Sequence, residues 1–363
     1  MQVEIRQFPE GVSLDIDGCT IRWEGAERGA TGDIAICTAL LPSMVSGEGE
    51  LRVSAPASPE LIRSSTTLQE VFGTWLPGAR SVSIDVTMAA AENSGDRETV
   101  CFFTGGVDSF HAVLTYRDEI DRLVYVEGFD VRSGQTVLLG QVRASLAAAA
   151  DQLGLPLTVL RTDVRDWSDG LVGWPMYHGA ALATAAHLLA DRSGRAIIPS
   201  SAPYDQLYPW GSHPLTDPLW SGSVKIEHRG AATDRFEKTA ALIGHEAAWR
   251  ALRVCWRNPQ QAYNCGECEK CLRTMTTLAA YGVLDRFETF PDSLSAARVA
   301  GLELRGTTAQ RNARANIRLL AETSKRPDLE RAWRRALKGP SLQHRAGTLA
   351  RRVHRGMRRR LRR

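Results

Sequence analysis

The sequence predicts an α/β protein: a doubly wound parallel sheet, an N-terminal α+β domain and a C-terminal four-cysteine zinc lobe. Three observations carry that expectation. From Thr99 to Ser201 short apolar runs alternate with segments of helical period. The first of those runs breaks into Thr104-Gly105-Gly106 at the mouth of a helix. Later, Cys255, Cys265, Cys268 and Cys271 fall within seventeen positions. Strands and helices that alternate in this way need crossover connections, which give a parallel sheet covered on both faces.

Residues 1–92 read as a small accessory domain. The run SLDIDGCTIRW alternates apolar and polar residues around Asp17-Gly18, the pattern of a hairpin. Residues 59–78 have helical spacing, SVSIDVTM reads as a further strand, and the polar stretch AAENSGDRE reads as a linker. Residues 97–245 form the α/β domain. TVCFF is its first strand and VDSFHAVLTYRDEI its first helix. RLVYVEGFD, the helix TVLLGQVRASLAAAADQLG and the strand PLTVLRTDV follow. The helix HGAALATAAHLLADRSG and the strand RAIIPSS close the alternation. From 202 to 260 the chain is irregular and rich in Trp, Pro, Gly and His. Loops of this kind, at the carboxyl edge of a parallel sheet, build substrate pockets. Residues 246–324 are expected to form a zinc-binding and helical lobe, and 325–363 a basic tail.

Composition removes several classes. Of the 363 residues, 43% are hydrophobic and 24% charged, which suits one large or two medium globular domains and excludes a disordered or collagen-like chain. No run of about 18 apolar residues predicts a membrane span. The opening MQVEIRQFPEG lacks an apolar stretch after a basic patch, so no signal peptide is expected, and the cytosol is the expected compartment. The net charge of +4 hides an asymmetry: Lys325–Arg363 holds 15 Lys and Arg against 2 Asp and Glu, so the rest is acidic. The tail is expected either to grip RNA or an anionic lipid surface, or to remain a solvated extension. A small-molecule substrate, an ammonia-supplying partner and a homodimer complete the expected partners.

The glycine turn is the sharpest motif. Between a strand and a helix start, glycines let the backbone approach a ligand, and free N–H groups with the helix dipole favour phosphate. Thr104, Gly105, Gly106, Val107, Asp108 and Ser109 are therefore candidate nucleotide-binding residues. Asp108 alone would repel phosphate, so Mg²⁺ is expected to bridge the two. The turn lacks the lysine of a Gly-Lys-Ser/Thr loop and the third glycine of Gly-x-Gly-x-x-Gly.

Strand–Thr104-Gly105-Gly106-Val107-Asp108-Ser109–helix resembles the Ser-Gly-Gly-x-Asp-Ser loop of the PP-loop ATP pyrophosphatase superfamily, with Thr104 keeping the hydroxyl of the first serine. The resemblance implies a HUP-type, Rossmann-like fold of the adenine nucleotide alpha-hydrolase kind. It implies cleavage of ATP to AMP and pyrophosphate, activation of a carboxylate or carbonyl oxygen as an adenylate, and displacement of AMP by a nitrogen or sulfur nucleophile.

Cys255, Cys265, Cys268 and Cys271 have the spacing of a closed tetrahedral thiolate site. Zn²⁺ is the expected metal, with an iron–sulfur cluster as the competitor. Lys270, Arg273 and backbone N–H groups at the next helix start would offset the thiolate charge. Together, loop and cysteines make residues 99–281 similar to 7-cyano-7-deazaguanine synthase-like proteins, which use ATP, Mg²⁺ and ammonia and carry a structural zinc. The likeness does not reach residues 1–92 or the tail, and the runs WPMYHGA and GSHPLTDPLWS depart from it. It therefore implies a chemistry and not a substrate.

Further candidates lie at strand ends and in the irregular region. Glu127, Gly128 and Asp130 end the second strand of the α/β domain, where an acidic group can hold ribose hydroxyls. Thr162, Asp163 and Arg165 end the third, and Ser200 and Ser201 the fourth. Lys225, Arg235 and Lys238 are candidates to neutralise departing pyrophosphate, Lys238 first among them, and Arg235 and Lys238 share a helix face. Asp108, Lys238 and Arg235 thus form the expected catalytic set. His178 would contact substrate or cap a helix; His213, Asp217 and His228 would form a polar pocket; Trp210 and Trp220 would stack on a planar ligand or pack. The expected function is an AMP-forming ligase with a nitrogen nucleophile. Two alternatives remain. One is sulfur transfer, which needs an exposed cysteine from Cys19, Cys37 or Cys101. The other is a module that binds nucleotide without cleaving it.

Overall fold

A computed structural model describes residues 1–26, 31–90, 97–323 and 325–339. The chain divides into two compact units, Met1–Arg253 and Val254 onward. No helix of the described residues is long and apolar enough to cross a membrane.

The first unit is built on a ten-stranded sheet. Its strands are β1 (Gln2–Phe8), β2 (Gly11–Ile16), β3 (Cys19–Glu24), β4 (Glu50–Val53), β5 (Ser83–Asp85), β6 (Glu98–Phe102), β7 (Arg122–Glu127), β8 (Leu157–Thr162), β9 (Ser193–Pro199) and β10 (Lys225–Arg229). Their spatial order is β10-β9-β6-β7-β8-β3-β2-β1-β4-β5. Every neighbouring pair from β10 to β8 is parallel, so that half runs in the doubly wound order with β6 at its centre. Alternate residues of these strands are buried on opposite faces: Val100 and Phe102 in one core, Cys101 and Ile197 away from it. Helices α1 (Gly32–Ser46), α2 (Pro59–Trp75), α3 (Val107–Thr115), α4 (Thr136–Leu153), α5 (Val164–Ser168), α6 (Trp174–His187), α7 (Arg235–Ala241) and α8 (Glu246–Ala251) complete the unit.

The expected separate N-terminal domain is corrected here. The hairpin forms as predicted, with Asp17 and Gly18 both at positive φ in the β2–β3 turn. But β3 pairs antiparallel with β8, Trp23 opposite Thr162 and Glu24 opposite Arg161, so strands β1–β5 extend the α/β sheet. The pairing covers an edge that β8 would otherwise leave open. Helix α1, which has no expected counterpart in the sequence reading, is apolar nearly all round and is buried from Gly32 to Met44. It packs on α6: Tyr177 Oη donates to Thr38 O at 2.8 Å, and the Thr38 and Thr184 hydroxyls lie 3.1 Å apart. Val3, Leu14, Ile21 and Leu51 of β1–β4 and Val100, Val124, Leu160, Ile198 and Ile226 of β6–β10 belong to one hydrophobic core.

Asp33, wholly buried at the start of α1, ties this core together. It accepts from Ser58 N at 2.7 Å, Ser58 Oγ at 2.6 Å and Ser223 N at 2.8 Å, with His187 Nδ1 3.8 Å away. Burial opposes its ionisation, yet His187 and the bonds from Ser58 and Ser223 hold the carboxyl below the ordinary aspartate value. Asp33→Ala leaves those buried donors unsatisfied and is expected to cost about 3–5 kcal/mol in urea unfolding. A loss under about 1 kcal/mol would show that the network carries no stability.

Among the described residues, the second unit holds Cys255, Cys265, Cys268 and Cys271 and the helices α9 (Glu269–Tyr281), α10 (Ala296–Ala300), α11 (Gly306–Thr323) and α12 (Pro327–Lys338). Leu272, Val299, Leu320, Leu329 and Trp333 form its core. The boundary expected at 246 falls after Arg253, because α8 belongs to the first unit. The expected basic tail is likewise shortened. Its first part is α12, which buries Trp333 and donates from Trp333 Nε1 to Thr276 Oγ1 at 3.1 Å. Residues 340–363 of the expected tail lie outside the described residues.

Candidate active site and metal centre

The glycine turn lies between β6 and α3. Beside β6 the strand order reverses, with β7 on one side and β9 on the other. In open α/β sheets ligands bind at this switch point, outside the carboxyl ends of the strands. Gly105 has φ +69°, and Gly106 is the N-cap of α3. Thr104 N donates to Ser109 Oγ at 3.3 Å, Ser109 Oγ donates to Gly106 O at 3.1 Å, and Arg253 N donates to Gly105 O at 2.8 Å. The turn is thus pinned from both sides. A Cβ on Gly105 would lie 2.8 Å from Leu146 Cδ2 and 3.0 Å from Ala251 O, in a backbone region that side chains rarely adopt. Gly105→Ala is expected to destabilise the protein by about 1–3 kcal/mol, measured by thermal unfolding. An unchanged melting temperature would remove the close-approach argument.

Asp108, one residue into α3, faces α7. Arg235 Nη2 lies 2.8 Å from its Oδ2 and Lys238 Nζ 3.6 Å from its Oδ1. Asp234 caps α7 by accepting from Phe236 N and Glu237 N, while Glu237 accepts back from Asp234 N, which fixes the helix that carries both cations. Lys238 is 2% exposed and donates to Ser200 O at 2.7 Å. Burial draws its ammonium below the ordinary lysine value, Asp108 opposing and Arg235 adding repulsion. Asp108 Oδ1 is buried and accepts no hydrogen bond; its one neighbouring charge among these groups is the Lys238 ammonium at 3.6 Å, and a carboxylate oxygen of this kind can also take a metal cation. The structure therefore brings together Asp108, Arg235, Lys238 and Ser200.

His111 joins them, and the sequence reading did not single it out. One helical turn from Asp108, its Nδ1 is buried without a hydrogen-bond partner. Burial, then Lys238, lowers its proton affinity below that of an ordinary histidine. A Cβ on Gly230 would lie 3.7 Å from His111 Nδ1 and 3.9 Å from Lys238 Nζ, so both side chains reach the same glycine. The i,i+3 spacing of Asp108 and His111 was the available signal.

Other candidates are differently employed. Glu127 is 1% exposed and clamped by Arg143 at 2.9 and 2.8 Å and by Arg161 at 3.2 Å, so its carboxylate is spent on arginines and not open to a ribose. The Ser200 hydroxyl donates to Ala202 O at 2.8 Å, and it is the carbonyl of Ser200 that serves the cluster. Asp163 accepts from Arg22 N and Arg165 donates to Phe129 O, both structural ties, and Asp130 is exposed. Thr162 Oγ1 accepts from Val164 N. Gly128 is required where it stands, because a Cβ there would lie 2.0 Å from Thr162 O. Lys225 stands at the opposite end of β10 from the site and pairs with Glu227. Trp220 is wholly buried against Phe72, a packing residue and not a stacking platform. His178 sits between the Trp174 and Trp210 rings, and burial lowers its proton affinity.

The expected polar pocket does assemble. His228 Nδ1 lies 2.7 Å from Asp217 Oδ2, and Asp217 also accepts from Ser212 Oγ at 2.6 Å and His213 N at 3.1 Å. Ser200, Ser201, Trp210, His213 and His228 line one small pocket.

In the second unit the four sulfurs of Cys255, Cys265, Cys268 and Cys271 all lie within 4.8 Å of one another. Tetrahedral thiolate coordination at about 2.3 Å from a metal needs that closeness. Backbone N–H groups of Glu267 and Cys268 point at Cys265 Sγ, at 3.4 and 3.3 Å, and Cys271 N donates to Cys268 Sγ at 3.4 Å. Asn264 Oδ1 accepts from Val254 N and Cys255 N, which fixes the first ligand. Thiol hydrogen bonds from Cys268 and Cys271 lower the Cys255 proton affinity, and the bond with Cys255 raises that of Cys268. Arg273 pairs with Glu269 at 3.3 Å. The donor set fits a metal such as zinc.

Of the remaining cysteines, Cys19 is exposed and Cys37 and Cys101 are buried. Burial pushes the Cys101 thiol up to about 12, the opposite of what an attacking thiolate requires. No protein-family model matches this chain, and no curated protein or solved structure matches it.

Proposed function

We propose that this protein is an AMP-forming ligase that activates a carboxylate or carbonyl oxygen with ATP and passes it to a nitrogen nucleophile. The observation that carries the proposal is the Thr104–Ser109 turn at the switch point of the sheet, with Asp108, Arg235 and Lys238 gathered beside it.

In this reading the free N–H groups of the turn and the first residues of α3 hold the β- and γ-phosphates of ATP. Oδ1 of Asp108, which accepts no hydrogen bond but has the Lys238 ammonium 3.6 Å away, would hold Mg²⁺, which would supply charge neutralisation on the phosphates. Lys238 and Arg235 offer positive charge where pyrophosphate departs. Lys238 suits this best: it is buried, and Ser200 O aims its ammonium. Burial of Cys37 and Cys101 leaves the sulfur-transfer alternative only the exposed Cys19 among the three cysteines it could use.

Pyrophosphate exchange into ATP, screened over pools of carboxylates and bulk tRNA, tests the reading, with AMP and ADP both quantified. Substrate-dependent exchange and AMP are expected. ATP binding with no exchange in any pool would favour a nucleotide-binding module, and exchange driven by tRNA alone would favour the sulfur-transfer class.

A further inference from the structure

The turn Ser200–Ala202 ends β9 and separates two sets of polar groups. On one side, Ser200 O and Ser201 O accept from Lys238 and Arg235 at 2.7 and 3.4 Å. On the other is the small pocket walled by Tyr208, Trp210, His213 and His228, with free room for about one water-sized molecule.

His228 distinguishes that pocket. Its side chain is 3% exposed, and Nε2 is buried with no hydrogen-bond partner. Nδ1 is engaged by Asp217, a wholly buried carboxylate that also takes bonds from Ser212 Oγ and His213 N. A carboxylate on Nδ1 selects the tautomer with its proton there and the lone pair on Nε2. An imidazole oriented in this way is a proton acceptor with nothing yet to accept from.

We infer that this pocket receives ammonia or a very small primary amine, and that His228 takes the proton released when that nitrogen attacks the activated acyl group. The inference rests on the ligase reading above. A carboxylate acceptor is already ionised near neutral pH, so its attack on the α-phosphorus needs no base. The second step does. The nitrogen lone pair forms the C–N bond, and the C–O bond to AMP breaks with its electron pair leaving on the AMP phosphate. The nitrogen, now positively charged, gives one proton to His228 Nε2, which later returns it to water. Asp217 is a positioning residue: it holds the ring and stabilises the imidazolium. The size of the pocket matches ammonia and not a bulky amine.

The test uses the full chain and the carboxylate pool that drives exchange, with wild type, His228→Gln and Asp217→Asn compared for fold by thermal melting. Three rates are read: pyrophosphate exchange, AMP release driven by ammonium chloride, and hydroxamate formation from hydroxylamine, a nucleophile that attacks acyl adenylates without a base. His228→Gln is expected to lower the ammonium-driven rate roughly 10²–10⁴-fold, far more than either other rate. Asp217→Asn should lower the same rate selectively. Wild type should lose rate steeply from ammonia to methylamine to butylamine. Equal losses in all three rates, or no loss in the ammonium-driven one, would overturn the assignment of His228. Absence of exchange in the wild type would instead bring down the ligase reading, and this inference with it.

Discussion

Cys271→Ser is expected to abolish metal binding and to unfold the region from Val254 to Gly339. The four sulfurs lie within 4.8 Å of one another, and Cys271 is wholly buried. Without a metal, such a cluster forces thiols into repulsive or strained hydrogen bonds. With one, the coordination energy becomes folding energy: about 10–16 kcal/mol apparent for zinc in small peptides, which sets the upper end here. The cysteines anchor the start of α9, where Cys268 is the N-cap, and α9 carries Leu272 into the core shared with Trp333. Loss of the site should therefore propagate through that core. Elemental analysis of purified protein should give one zinc per chain in wild type and none in the variant, and limited proteolysis should cut the variant within residues 254–339. Iron with acid-labile sulfide would identify a cluster instead. A variant that keeps both its protease resistance and its melting temperature would show that the cysteines do no structural service.

Lys238→Met is expected to lower pyrophosphate exchange by roughly 10²–10³-fold, the usual effect of removing one preorganised charge donor from a transition state. Methionine matches the length of the lysine stem and Asp108 keeps its 2.8 Å contact with Arg235, but the Ser200 carbonyl loses its donor, so the variant is expected to fold with a stability loss of about 1–3 kcal/mol. ATP affinity should fall less than the rate, because the charge on pyrophosphate grows as the bond breaks. Exchange at the wild-type rate would remove Lys238 from the proposed machinery and leave Arg235 as the remaining cation beside Asp108. Steady-state exchange at varied ATP concentration separates the two effects.

Both predictions fall on residues that sequence alone had marked. The glycine turn was legible because its constraint is local: a strand must end, a helix must begin, and only glycine supplies φ +69° at Gly105. The cysteines were legible because a tetrahedral site closes over a short stretch of chain, and α4 because eighteen residues of helical period end at Gly154 in the left-handed conformation. The i,i+3 spacing of Arg235 and Lys238 likewise put them on one helix face before any contact was known.

What escaped the sequence was decided by partners distant in the chain. Glu127 ends its strand as expected, yet Arg143 and Arg161 claim its carboxylate, and neither is near it in sequence. Helix α1 has no polar face to give it a period, because α6 and the core cover it on every side. Strand β10 lay hidden in an irregular region until β9 offered it a parallel partner. The sequence by itself determined the local elements and the residue types of the site: a glycine turn at a helix start, a cationic helix face, a four-cysteine set. Only the tertiary structure decided that strands β1–β5 extend the same sheet, that His111 stands beside Lys238, and that His228 meets Asp217. Periodicity reports how one element is buried. Strand pairing, ion pairing and the tautomer of a histidine depend on which other element arrives beside it, and a hydrogen bond between residues far apart in the chain leaves no pattern in the neighbours of either.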